Sequence, residues 1–108
     1  MPSFRASLAV IRVTGGRSPA EVLAAAQAGI ATSWHIEDGF VDVDPLRRGG
    51  LPRVTVRFVV PWSNNANEDA TAWQAARQLA THVGQVAQWR DLRVFRRTKG
   101  RWDAVDAA

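Results

Sequence analysis

The alternation of side chains over residues 53–62 constrains the fold more than any other feature of the sequence. One side of this stretch carries Val54, Val56, Phe58, Val60 and Trp62, and the other carries Arg53, Thr55, Arg57 and Val59. A period of two in β-branched and aromatic residues predicts a half-buried β-strand. Because a helical pattern lies on each side of it, we predict a central strand of one sheet, with the first set facing the core.

Length and composition limit the class of protein. The chain has 108 residues, of which 46% are hydrophobic, so we expect one folded domain over residues 1–108. The absence of cysteine excludes disulfides and thiolate metal sites. No apolar run has the length of a membrane span, and no signal-peptide pattern is visible, so we expect a cytoplasmic protein without a membrane partner.

The first half of the chain predicts a strand followed by a helix. Residues 4–13 have the apolar content of a strand, which Gly15-Gly16 interrupts. Ser18 is placed to cap a helix, Pro19 suits its first position, and Glu21 completes a capping box. We predict that this helix continues to about Ala31.

Residues 34–44 predict a second extended region with Asp38-Gly39 inside it. This dipeptide favours either a tight hairpin turn or one long strand with a bulge at Gly39, and the sequence leaves both alternatives open. Both place His35, Glu37 and Asp42 outward. Both also place four apolar residues inward, namely Trp34, Ile36, Val41 and Val43.

The second half of the chain repeats the helix-then-strand order. Asn67 is the predicted cap of a helix that ends near Gln88, and residues 92–98 predict the last main strand. Lys99-Gly100 predicts a turn into a short additional strand over residues 101–105, which would stack Trp102 on Arg97.

The order strand, helix, strand, strand, helix, strand resembles the ferredoxin-like βαββαβ fold. The resemblance lies in the topology and covers nearly the whole chain. It implies an α+β domain in which a four-stranded antiparallel sheet carries both helices on one face, with the C-terminal hairpin strand as an addition. That fold hosts many unrelated functions, so the resemblance predicts no activity.

The predicted sheet leaves one face without helices, and this open face carries the candidate functional residues. The central strand contributes Arg53, Thr55, Arg57 and Val59, and the last strand contributes Arg93, Phe95 and Arg97. Trp62, at the end of the central strand, is the candidate for a pocket rim. The candidate ligand-binding or interface residues are therefore His35, Arg57, Val59, Trp62, Phe95 and Arg97.

Arginines beside an aromatic residue also suit single-stranded nucleic acid. An antiparallel pairing across residues 45–52 would, however, place Asp44 near Arg53 and Asp42 near Thr55, which partly neutralises the face. RNA-recognition motifs share the topology but expose aromatic residues where this chain has arginine and threonine. We therefore expect weak and unspecific binding of nucleic acid at most.

The two histidines do not predict a catalytic or metal site. His35 would face Asp42 only if Asp38-Gly39 forms a hairpin turn, and no nucleophile is placed beside that pair. His82 lies on the shoulder of the second helix, away from Trp73. We predict no catalytic residue, no cofactor and no metal ion.

The sequence leaves two function classes open. The first is a non-enzymatic binding module that forms a homodimer through the open sheet face, because a half-apolar face is costly to leave in water. The second is a small-ligand enzyme that resembles dimeric α/β-barrel monooxygenases. In those proteins two open sheet faces enclose a pocket, which here would be lined by His35, Arg57, Trp62 and Phe95.

Overall fold

The computed structural model describes residues 1–43 and 50–107, so Asp44 and the pairing predicted for it lie outside the described residues. Seven elements follow one another along the chain. They are β1 (Ser3–Val13), α1 (Pro19–Ala31), β2 (His35–Asp42), β3 (Arg53–Val59), α2 (Asn65–Val83), β4 (Ala87–Thr98) and β5 (Arg101–Val105). Neither helix is long and apolar enough to cross a bilayer, as judged over the described residues.

The strands form one antiparallel sheet in the order β2-β3-β1-β4-β5. This confirms the predicted α+β class, with two helices and an antiparallel sheet. The C-terminal strand predicted from Lys99-Gly100 is present. It pairs with β4 from Thr98↔Arg101 to Val94↔Val105, and Gly100 takes the positive φ of 81° that such a tight turn requires.

The core lies between one sheet face and the two helices. The predicted alternation of β3 is confirmed, because its even-numbered residues Val54, Val56 and Phe58 are at most 1% exposed, as is Val60 just beyond the strand. On β1 the alternate residues Phe4, Ala6 and Leu8 are fully buried beside them. The helices contribute Val22, Ala26 and Ile30 from α1, and Ala72, Ala76, Leu79 and Val83 from α2. The odd-numbered residues of β3, and those of β1 from Ser3 to Ala9, therefore face away from the helices, whereas Val13, beyond a register shift after Val10, packs against the core.

Helix α1 begins as predicted, whereas α2 is displaced from its predicted bounds at both ends. Asn64 caps α2, since its side-chain oxygen accepts a hydrogen bond from the backbone N–H of Asn67 at 2.8 Å. Asn67, the predicted cap, thus lies inside the first turn. The helix ends at Val83 with Gly84 as its C-cap, and Ala87 already pairs with Val13 in the sheet. Ala87 and Gln88 pair with β1 and so do not extend the helix, which was predicted to reach Gln88.

The hairpin interpretation of Asp38-Gly39 is wrong, because β2 runs without a turn through both residues. The register against β3 shifts between Ile36 and Asp38, which locates the irregularity at Glu37. Gly39 faces α1, where a Cβ built on it would meet the end of the Gln27 side chain, a group that can move aside.

Two apolar residues that were predicted to face the core are exposed. Trp62 is 73% exposed and Val43 is 53% exposed. Strand β3 ends at Val59 and β2 ends at Asp42, so both residues lie beyond the paired strands and the alternation no longer fixes their direction. Trp34, Ile36 and Val41 do pack against the core, as predicted.

A buried ion pair joins the start of α2 to the sheet. The side chain of Glu68 is 2% exposed and accepts hydrogen bonds from Arg96 Nη2 at 2.6 Å and from the backbone N–H of Ser63 at 2.7 Å. Arg96 also contacts Asp69 at 3.0 Å and lies 5.2 Å from the ring centre of Phe4. These contacts connect the N-terminus of α2 to strands β4 and β1.

The Glu68 contacts predict an acid-sensitive stability. Hydrogen bonds first from Arg96 and then from Ser63 hold the pKa of Glu68 below its ordinary value of 4.5. A lowered folded-state pKa contributes stability above the unfolded pKa, and that contribution is lost as the pH falls through the folded value. We expect the urea midpoint of unfolding to fall as the pH decreases below about 4.5. A Glu68→Gln variant should show a shallower decrease; a slope equal to that of the wild type contradicts this role for Glu68.

Candidate functional site

The face of the sheet opposite the helices carries arginine and aromatic side chains in register. On β1, Arg5 lies opposite Arg57 of β3 on one side and opposite Phe95 of β4 on the other. Residues directly opposite each other in an antiparallel pair point to the same face. No described helix or strand packs over this face, which we call the open face.

Three guanidinium groups surround one indole ring at the centre of the open face. The carbon Cζ lies 4.2 Å from the ring centre of Trp102 for Arg5, 5.3 Å for Arg57 and 5.2 Å for Arg97. We call Arg5, Arg57, Arg97 and Trp102 the arginine–tryptophan cluster. All three separations are within the range of cation–π attraction. The Arg97 contact confirms the stacking predicted across the Lys99-Gly100 turn.

The three arginines of the cluster differ in their charge partners. Arg57 Nε donates to Glu37 Oε1 at 3.0 Å. Among the described residues, Arg5 and Arg97 form no ion pair. The Nε atom of Arg5 is buried and has no hydrogen-bond partner there, which is costly for a polar group.

The positive charges of the cluster act on one another. Burial lowers the pKa of the Arg5 guanidinium, and the neighbouring charges of Arg57 and then Arg97 lower it further, while Asp38 raises it. Both main causes penalise the charged form of Arg5. An additional negative charge beside Arg5 would relieve this penalty.

A cleft of about 280 Å³ opens beside the cluster. Aromatic and hydroxyl side chains line it together with one arginine and one carboxylate. The lining residues are Arg5, Ser7, Phe40, Asp42, Thr55, Phe95 and Trp102. Ser7 and Thr55 are 4% and 7% exposed, so the cleft has a polar floor on strands β1 and β3.

Asp91 neutralises the other end of the open face. Its carboxylate lies 3.0 Å from Arg53 Nη1 and 2.7 Å from Arg93 Nη2. Hydrogen bonds first from Arg93 and then from Arg53 lower the pKa of Asp91. The sequence predicts Asp42 opposite Thr55, whereas Asp42 pairs with Arg53 in the register and Phe40 takes the place opposite Thr55. The described ion pair of Arg53 is therefore with Asp91 on β4 and not with Asp42 on β2.

Glu37 neutralises arginine charge at the β2 edge of the open face, as Asp91 does at the other end. It accepts a hydrogen bond from the hydroxyl of Ser3 in addition to the bond from Arg57. The Ser3 bond is the main reason that the pKa of Glu37 lies below its ordinary value, and Arg57 lowers it further. Within the described chain, Arg5 and Arg97 of the arginine–tryptophan cluster therefore have no ion pair, and neither has Arg90, which lies opposite Ala9 farther along the same face.

The predicted site residues do not form one group. Arg57 and Arg97 belong to the cluster and Phe95 lines the cleft, whereas His35 and Val59 pair with each other nearer the end of the sheet. Trp62 lies beyond β3 and lines none of this cleft. His35 and Asp42 are at opposite ends of β2, so the pair that a hairpin would have formed does not exist.

Sequence reasoning missed Arg5, Ser7 and Phe40. The signal for the first two was present, because Phe4, Ala6, Leu8 and Val10 alternate with them along β1. The adjacent apolar residues at 8–11 concealed that alternation. Phe40 lies on the open face because the bulge at Glu37 changes which residues of β2 point outward.

The described residues contain no group of three or more His, Cys, Asp or Glu side chains that could hold a metal ion. The cleft offers a guanidinium group, a carboxylate, two hydroxyls and three aromatic rings, a mixture of polar and apolar groups that can bind a small ligand.

Comparison of the chain with models of known protein families finds no match, and neither do comparisons with curated protein sequences and with solved structures.

Proposed function

We propose that the chain is a single ferredoxin-like domain, residues 1–108, with an added edge strand. The order β2-β3-β1-β4 and the antiparallel pairing of those strands support this assignment. Helices that follow β1 and β3 support it further. Strand β5 widens the sheet beside β4 and supplies Trp102 to the open face.

We propose that this domain is a non-enzymatic module that pairs with a second copy of itself through the open face. The observation that carries the proposal is the set of half-buried aromatic side chains on a face without helices, Phe40, Phe95 and Trp102. Packing two such faces together removes apolar surface from water, and a two-fold pair is the commonest symmetric solution.

The flat area of the open face is about two thirds of the area that a standard interface uses from each partner. Five strands spaced by about 4.8 Å span roughly 24 Å, and a seven-residue strand such as β3 is about 23 Å long. The flat area is on the order of 550 Å², and protruding side chains increase the accessible area. A standard interface uses about 800 Å² from each partner.

Sedimentation equilibrium tests the pairing. We expect the wild type to sediment as a dimer, and a charge placed in the face, Phe95→Asp or Val59→Glu, to dissociate it with a native-like circular dichroism spectrum. The control is Ala24→Glu on the exposed side of α1, which should remain dimeric. A wild type that stays monomeric at about 100 µM contradicts the proposal, because such an interface would be weaker than that dissociation constant.

The positions of the candidate residues favour this module over the enzyme alternative. A monooxygenase-like pocket needs His35, Arg57, Trp62 and Phe95 around one cavity, and the described cleft gathers only Phe95 of these four. The ion pairs of Arg53, Arg57 and Arg93 reduce the free positive charge, which supports weak rather than specific contact with nucleic acid.

A further inference from the structure

We propose that the cleft beside the arginine–tryptophan cluster binds a small aromatic oxyanion, a single ring that carries a carboxylate or a phosphate group. The inference deepens the proposed function and rests on it in one respect, since in the dimer the ligand would be enclosed between the two open faces. The site itself is built within one subunit.

The positive charges of Arg5, which lines the cleft, and of Arg97, which contacts Trp102 beside it, favour an anion. They outnumber the one carboxylate of the lining, that of Asp42. Neither guanidinium group has an ion pair within the described residues, although both lie within about 5 Å of the same indole ring. The Nε–H of Arg5 is already withdrawn from water and lacks an acceptor among those residues. An oxyanion in the cleft would accept charge-assisted hydrogen bonds from the terminal nitrogens of the Arg5 guanidinium and offset its positive charge.

The floor of the cleft offers a hydroxyl donor to the same anion. Ser7 Oγ accepts hydrogen bonds from Arg53 Nε at 3.0 Å and from Thr55 Oγ1 at 3.3 Å. Both bonds occupy the lone pairs of the Ser7 oxygen, so its own proton remains to be donated. Ser7 and Arg5 lie on the same side of β1, two residues apart, and both line the cleft.

The size and walls of the cleft limit what accompanies the anionic group. Its volume of about 280 Å³ is near the lower end of ligand pockets, which begin at roughly 300 Å³. Phe40, Phe95 and Trp102 provide aromatic walls that suit a flat ring. A one-ring compound therefore fits better than a nucleotide or a polymer.

The ligand should also stabilise the pairing of subunits. In a two-fold pair centred on β1, the Arg5 side chains of both subunits approach the axis, where two guanidinium groups repel each other. A bound oxyanion in each cleft offsets this repulsion. We therefore expect the ligand to tighten the dimer as well as to occupy the cleft.

Isothermal titration with three compounds tests the site. Phenyl phosphate and benzoate carry the two anionic groups on the same ring, and benzyl alcohol presents the ring without charge. We expect at least one of the two anions to bind at one site per chain and benzyl alcohol to bind at least tenfold more weakly, because the charge-assisted bonds are lost. The stronger anion identifies the group. Absence of binding by both anions overturns the proposal, as does equal binding of benzyl alcohol.

Three arginine variants locate the binding. Arg5→Gln and Arg97→Gln should each weaken binding of the preferred anion by roughly tenfold or more. Two variants are used so that, if one fails to fold, the other still tests the site. Arg77→Gln, on the exposed surface of α2, is the matched control and should change affinity less than twofold. Equal weakening by Arg77→Gln shows diffuse attraction to a basic protein and contradicts the site.

Sedimentation of the same samples separates this inference from the proposed function. A dimer that binds neither anion overturns the ligand site alone. A monomer that binds the anion with the expected response to Arg5→Gln overturns the pairing alone and leaves the site in place. A dimer that binds the anion and dissociates more readily without it supports both.

Discussion

An Arg96→Met variant is expected to lose much more stability than a variant that removes an exposed arginine. Arg96 is the guanidinium partner of Glu68, whose side chain is only 2% exposed, and of Asp69 at the start of α2. Its removal leaves a buried carboxylate with no cation, which is among the more costly defects in a protein interior. Methionine retains much of the apolar stem over Phe4, so the loss reports on the charge.

Urea unfolding provides the measurement, and Arg101→Met is the matched control. Arg101 and Asp103 form a pair at 3.8 Å with side chains that are 74% and 49% exposed, and such pairs contribute little. We expect Arg96→Met to cost roughly three times as much or more. The double variant Arg96→Met/Glu68→Met should be more stable than Arg96→Met alone, because no unpaired charge remains. A double variant that is less stable than the single variant contradicts this account of the ion pair.

A Gly29→Ala variant is expected to be destabilised although alanine is the better helix former. A Cβ built on Gly29 would lie 2.7 Å from the backbone oxygen of Gln78 and 3.0 Å from Leu79 Cα. These are backbone atoms of α2, so relief requires the two helices to separate. Helix propensity favours alanine by about 1 kcal/mol, whereas overpacking of a close contact costs about 1–3 kcal/mol. We expect a net loss, and a larger one for Gly29→Val.

The matched control for this prediction is Gly15→Ala in the turn before α1. No atom lies within 4 Å of the Cβ position at Gly15, so this change should alter the free energy of unfolding by at most about 0.5 kcal/mol. Chemical denaturation of both variants measures the two changes in the free energy of unfolding. A Gly29→Ala variant at least as stable as the wild type shows that the helices adjust without cost and contradicts the prediction.

Elements with strong local patterns could be predicted from the sequence. The alternation on β3, the Ser18 cap of α1 and the Lys99-Gly100 turn all appear where the sequence predicted them. Each depends on residues close in the chain, such as Ser18 Oγ, which accepts from the backbone N–H of Glu21 at 3.3 Å. Local chemistry of this kind survives folding because the tertiary structure does not compete with it.

Elements that depend on a distant partner were predicted less well. The end of α2 depends on the pairing of Ala87 with Val13. A hairpin turn at Asp38-Gly39 is excluded because both residues pair with β3. In both cases backbone hydrogen bonds to a strand far away in sequence outweighed the local preference of a few residues. Exposure of Trp62 has the same origin, since the strand ends before it.

Part of the candidate site could likewise be predicted from local patterns, and part depends on contacts between strands. The placement of Arg57, Phe95 and Arg97 on one face followed from alternation within their own strands. Their meeting point did not, because Trp102 and Arg5 reach it from strands β5 and β1.

The sequence by itself determined the α+β class, the buried side of the central strand and the arginine content of the opposite side, since periodicity and capping are local properties. Only the tertiary structure decided which charges are compensated. Glu68 pairs with Arg96 across 28 residues and Arg53 with Asp91 across 38, whereas Arg5 lies between two other arginines and forms no ion pair in the described chain. The energy of a charge depends on what surrounds it in space, and strand register sets those neighbours.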